Sequence, residues 1–130
     1  MLLPRFGARK LLLVAVVLTV LRWLLIAAFT DNPPVIVFAQ TLHAASFGLY
    51  HAVAIYMVHM LFTGIHQGRG QALYSSVSFG AGGAAGSLVS GYLWTGIGPQ
   101  AMYLLAAAIS LLAALVVYFG IRMPDTAAQE

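Results

Sequence analysis

Four long apolar runs, each bounded by a short cluster of polar, Gly or Pro residues, set the pattern of this chain. They cover Leu11–Phe29, Val35–Phe62, Ala72–Ile97 and Ala101–Ile121. A helix crosses the hydrocarbon of a bilayer, roughly 30 Å, in about 20 residues, a length that each run reaches or nearly reaches. Inside lipid the backbone must satisfy its own hydrogen bonds, so each run predicts a helix. The breaks carry their own signals. In Thr30–Pro34, Asp31 and Asn32 favour a turn, and the Pro pair starts the next helix where a missing N–H does no harm. Thr63–Gln71 is a polar elbow; Gly96, Gly98 and Pro99 close the third run, and Arg122, Met123 and Pro124 end the fourth. The expected fold is an all-α integral membrane protein: one transmembrane region over residues 1–130, four helices in up-down order, and a polar tail expected to be disordered.

Composition agrees with the pattern. The chain is 62% hydrophobic and 7% charged, with a mean hydropathy of +0.93. Soluble domains carry roughly 25% charged residues, so this sequence cannot build a water-facing surface. The absence of cysteine excludes a disulfide framework and a thiolate metal site. A net charge of +3 is too small and too scattered for nucleic acid.

The positions of the cations say more than their sum. Arg5, Arg9, Lys10, Arg69 and Arg122 all fall on the side of an up-down bundle that holds both chain ends and the 63–71 elbow. The only loop charge opposite is Asp31. The positive-inside rule then predicts cytoplasmic termini in a cell (inner) membrane. Arg5, Arg9 and Lys10 ahead of an apolar run also resemble a signal peptide, but the run is long and no small-x-small cleavage site follows, so a retained span is expected.

The third run is crowded with Gly, Ala and Ser. Gly82, Gly86 and Ser90 form one row at spacing four, and Gly83, Ser87 and Gly91 form a second, with Gly80 just ahead. Such rows let a neighbouring membrane helix approach closely, so a tightly packed helix is expected here. A phosphate-cradling loop needs a polar setting and a Lys followed by Ser or Thr, and neither is present.

Ionisable groups inside the spans are the candidates for chemistry. Arg22 lies about seven residues, or roughly 10 Å, from the outer end of the first span. Three environments fit it: headgroups reached by snorkelling beside Trp23, an anion such as a substrate carboxylate in a protein-lined or wet cavity, or a neighbouring helix. In the second span, Gln40, His43, Phe47, Tyr50, His51 and Ala54 share one helical face about 100° wide. His43 or His51 fits a coupled proton, since imidazole titrates near physiological pH; both also fit neutral histidines hydrogen-bonded to adjacent helices. By depth, Gln40, His43 and Arg22 fall in one polar layer. His59 and His66 belong to the interface.

Other chemistries lack their residues. Haem ligation across a bundle needs histidines on facing helices, whereas His43, His51 and His59 share one. Small four-span exporters couple protons through a membrane carboxylate, and Asp31, Asp125 and Glu130 all lie outside the runs. No nucleophile with its base, no metal cluster and no nucleotide loop is present; neither an enzyme nor a cofactor is expected.

The segment G-R-G-Q-A-L-Y-S-S-V-S-F-G-A-G-G-A-A-G (Gly68–Gly86) resembles the penultimate span of the major facilitator superfamily. The nearest likeness is to its phenylpropionate-permease-like branch, related to nucleoside and oligosaccharide proton symporters. L-T-V-L-R-W-L-L (Leu18–Leu25) and L-H-A-A-S-F-G-L-Y-H-A (Leu42–Ala52) fit the same branch. Pro4–Lys10 resembles a degenerate copy of the superfamily's cytoplasmic D-R-x-G-R-R loop: Arg5, Gly7 and Arg9 match, while Pro4 replaces the acid and Ala8 a basic residue. The resemblance implies spans nine to twelve of a twelve-span proton-coupled transporter for an aromatic acid, sugar or nucleoside. The tenth span would line the cavity and the eleventh would pack between the two halves, with the ninth and twelfth peripheral. It also implies that the lipid bilayer and the missing spans are partners, and that this portion alone does not transport. The contrasting expectation is a stand-alone four-helix membrane protein that oligomerises, or binds a partner, through its glycine face.

Overall fold

A computed structural model describes residues 6–121. Arg5, Arg122, Asp125 and Glu130, and with them part of the loop motif, of the charge asymmetry and the polar tail, lie outside the described residues. Four rods follow one another in the expected order. Helix α1 spans Ala8–Ala28, α2 spans Pro33–Leu61 and α5 spans Pro99–Gly120. These three are long and apolar enough to cross a membrane. The remaining rod is composite: a short 3-10 turn at Gly64–His66, then α3 (Gln67–Ser75), a π segment (Ser76–Ala81) and α4 (Gly82–Ile97). The protein is an all-α, multi-pass membrane protein.

The local signals act as their chemistry dictates. Asn32 caps α2, its side-chain oxygen accepting from the Val35 N–H at 3.3 Å, with Pro33 and Pro34 filling the first helical positions. Gly98, at φ 86°, makes the tight reversal into α5, a conformation that favours glycine. The elbow is shorter than expected. Helix resumes at Gln67, in a stretch with no proline to stop it, and Gly70 lies against Phe62. A Cβ at Gly70 would fall 2.4 Å from Cγ of Phe62.

Helix α1 lies between α2 and α5. Its N-terminal end forms the main apolar cluster: Ala8, Leu11 and Leu12 against Val53 of α2 and Val117 of α5. Helices α1 and α5 run antiparallel along their whole length. At one end the Arg9 guanidinium donates to the Tyr118 carbonyl and lies 5.5 Å above the Tyr118 ring. At the other, Trp23 stacks on Tyr103 with 5.6 Å between centroids, and Trp94 meets Tyr103 edge-on at 6.0 Å. Tryptophan and tyrosine gathered at one level suit a membrane–water interface. The first span therefore has neighbours on two sides.

The glycine-rich rod behaves differently from the other three. Its first half leans on α2, but no residue of Gly82–Ile97 is buried. A Cβ at Gly80, Gly83, Gly86 or Gly91 would meet nothing within 4 Å, and one at Gly82 would touch only the rod's own Val77 carbonyl. Ser87 donates within its own helix, to the Gly83 carbonyl at 2.8 Å. The small-residue face is thus smooth and hydrogen-bond-quiet, and among the described residues it has no partner.

Candidate functional site

Arg22 is buried, 7% exposed, on the side of α1 that faces α2. Its guanidinium carbon sits 3.8 Å from the centroid of the Trp23 ring. The Nε is buried with no hydrogen-bond partner among the described residues. A desolvated cation–π contact contributes about 2 kcal/mol, whereas removing a charge from water costs several kcal/mol even after relaxation. The indole alone does not offset the burial.

A cleft of about 260 Å³ lies against this group. Its walls include Ala15, Thr19, Arg22 and Trp23 from α1, and His43, Ser46, Phe47 and Tyr50 from α2. The structure lines this cleft with Arg22, His43 and Tyr50; of the layer expected from matching depths, Arg22 and His43 share the cleft and Gln40 does not. Ser46 and Thr19 are additional wall residues that sequence reasoning passed over. Ser46 is 2% exposed and donates to the His43 carbonyl at 3.2 Å; Thr19 donates to the Ala15 carbonyl at 3.0 Å. Each lies three residues from a recognised candidate, on the adjacent strip of its helix, and that spacing was the available signal.

The rest of the polar stripe divides. Gln40 lines a separate hollow of about 240 Å³ beside the α1–α2 turn, with Asp31, Trp94 and Tyr103 on its walls. His51 faces the glycine-rich rod, within an aromatic cluster. It stacks on Phe47 (5.8 Å, 8° between planes), with Tyr74 at 6.1 Å and Phe79 at 5.8 Å. Phe79 belongs to the π segment, where the wider turn re-aims side chains; such segments are frequent at functional sites. The Nδ1 of His51 is buried without a hydrogen-bond partner among the described residues. Tyr74 went unremarked in the sequence because the third run was read for its small residues. His59 and His66 are exposed.

A protein-family model described as the MFS_1 like family matches residues 1–105. The chain belongs to the major facilitator superfamily. As a member of that superfamily, it is also similar to a maltose permease from Geobacillus stearothermophilus, with 33% identity over 131 residues. That alignment takes in 99% of this chain but 32% of the permease, so the chain spans about a third of the length of this curated relative. No solved structure gives a significant match. The superfamily is one of transporters rather than enzymes.

Proposed function

We propose that this chain is the C-terminal four-span portion, spans nine to twelve, of a proton-coupled secondary transporter in the inner membrane. Its termini are cytoplasmic, and it moves a small organic solute (an aromatic acid, sugar or nucleoside) by alternating access. The observation that carries the reading is the convergence of Arg22, His43 and Tyr50, from two spans, on one cleft. Membrane transporters of this kind bind solute near the midplane, where repeated halves meet. In this reading His43 carries the coupled proton, Tyr50 and Gln40 offer neutral hydrogen-bonding groups along the path, and Arg22 fixes charge at its side. His51, with its unpartnered Nδ1, extends the path toward the glycine-rich rod. Gly80, Gly82, Gly83, Gly86, Ser87 and Gly91 form the face against which the remaining spans pack. Arg5, Gly7 and Arg9 belong to a cytoplasmic loop that retains the cations of its motif without the acid.

The alignment of nearly the whole chain with part of a permease supports the same reading. The test is uptake into vesicles with an imposed pH gradient, comparing the complete transporter with this chain alone. Solute accumulation is expected from the complete transporter and none from the chain; gradient-driven uptake by the chain alone overturns the reading. A stop codon and a separate ribosome site just upstream of Met1 favour a stand-alone membrane protein instead.

A further inference from the structure

We propose that Arg22 is a carboxylate-binding residue and that the cleft between α1 and α2 takes a small organic anion, its carboxylate on the guanidinium and its body against Trp23, Phe47 and Tyr50. The inference rests on the transporter reading and narrows its substrate class. Five observations converge on it. Arg22 is 7% exposed, it opens on a cleft, and its Nε has no hydrogen-bond partner among the described residues. No acid lies within any of the four described rods, and Asp31 lines the other hollow with Gln40. The guanidinium carbon lies over the Trp23 ring, 3.8 Å from its centroid. The ring takes up charge but accepts none of the N–H groups in its plane, and a guanidinium can grip a carboxylate with two parallel hydrogen bonds.

The other walls complete the fit. Ser46 and Thr19 spend their protons on their own helices, so they present oxygens rather than donors to the cleft. His43 and Tyr50 carry the remaining groups able to donate to the outer oxygen of a bound carboxylate. A cleft of about 260 Å³ is larger than a carboxylate alone requires and leaves space for an apolar body against the aromatic walls. A neutral sugar would leave the buried cation unpaired.

The same chemistry has a second source, an Asp or Glu supplied by spans outside this chain, and the experiment separates the two. Binding of benzoate and benzamide, matched in shape and differing in charge, is measured by calorimetry on the complete transporter in detergent. Benzoate is expected to bind at least tenfold more tightly, R22Q to erase that preference, and R22K to retain part of it. Equal affinity for the two probes, no binding of benzoate to wild type, or a preference that survives R22Q overturns the proposal. If R22Q is unstable and neutralising one acid of the other spans restores it, the carboxylate is the transporter's own and the solute claim fails. Uptake of a neutral solute that R22Q leaves unchanged overturns this inference while the transporter reading stands; absence of any gradient-driven uptake in wild-type vesicles removes both.

Discussion

The imidazole of His51 lies parallel to the ring of Phe47, with 5.8 Å between centroids and 8° between planes. Phe47 is a wall of the Arg22 cleft and His51 is not, although both rings belong to one helical face. The imidazole remains polar inside an aromatic cluster, with a buried Nδ1 that finds no partner. Replacing an unpaired buried polar group by an apolar one of similar shape is neutral or stabilising. His51→Phe is therefore expected to match or exceed the wild-type Tm of the complete transporter while reducing proton-driven uptake about tenfold, the trade expected where function holds a residue against stability. Undiminished uptake by this variant would make His51 a packing residue only.

Gly70 predicts a purely steric effect. A side chain there collides with Phe62, since a Cβ would come within 2.8 Å of Phe62 Cβ as well as its ring. Gly70→Val is expected to cost about 1–3 kcal/mol, as overpacking does. The cost should shrink in a Phe62→Ala background, because two groups that touch are not additive. Thermal melts of the four combinations check this; equal losses in both backgrounds would contradict the contact.

The open glycine face makes a prediction about assembly. Gly83 and Gly86 have nothing within 4 Å of an added Cβ. Gly86→Leu should thus leave the helix content of this chain unchanged by circular dichroism. In the complete transporter the same change should lower the Tm and the yield of folded protein, because a close helix–helix approach depends on small residues. Indifference of the complete transporter would show that this face looks out on lipid.

Much of this was legible before any coordinates. Apolar run length locates all four rods, because lipid leaves a backbone few choices, and Asn32 with its two prolines marks the start of α2, which begins at Pro33, two residues before the apolar run. Depth along antiparallel helices was enough to pair Arg22 with His43. Rotation was not, and the sequence left open whether Arg22 faced lipid, a cavity or a helix. That choice depends on which α1 face meets α2, and it is decided by Ala15, where α1 packs with 0% exposure, and by the interlock of Leu11 and Leu12 with Val53. The expectation of a tightly packed third span concerns a partner surface rather than the helix itself. Small residues announce a close neighbour without saying which chain segment supplies it, and among the described residues none does. The π segment was illegible for a related reason: Ser76–Ala81 carries no proline or charge to mark where the helix widens.

The central claim is that one edge of α2 borders a water-filled path while the opposite edge meets lipid. Single cysteines at 43 and 47, both on the cleft wall, and at 45 and 52, both exposed on the far side of the same helix, test it most directly. The complete transporter, in membrane vesicles, is treated with a membrane-impermeant thiol reagent. Positions 43 and 47 are expected to react, with Arg22 intact and solute absent, while 45 and 52 stay unlabelled. Equal labelling at all four positions, or labelling confined to 45 and 52, would contradict the account.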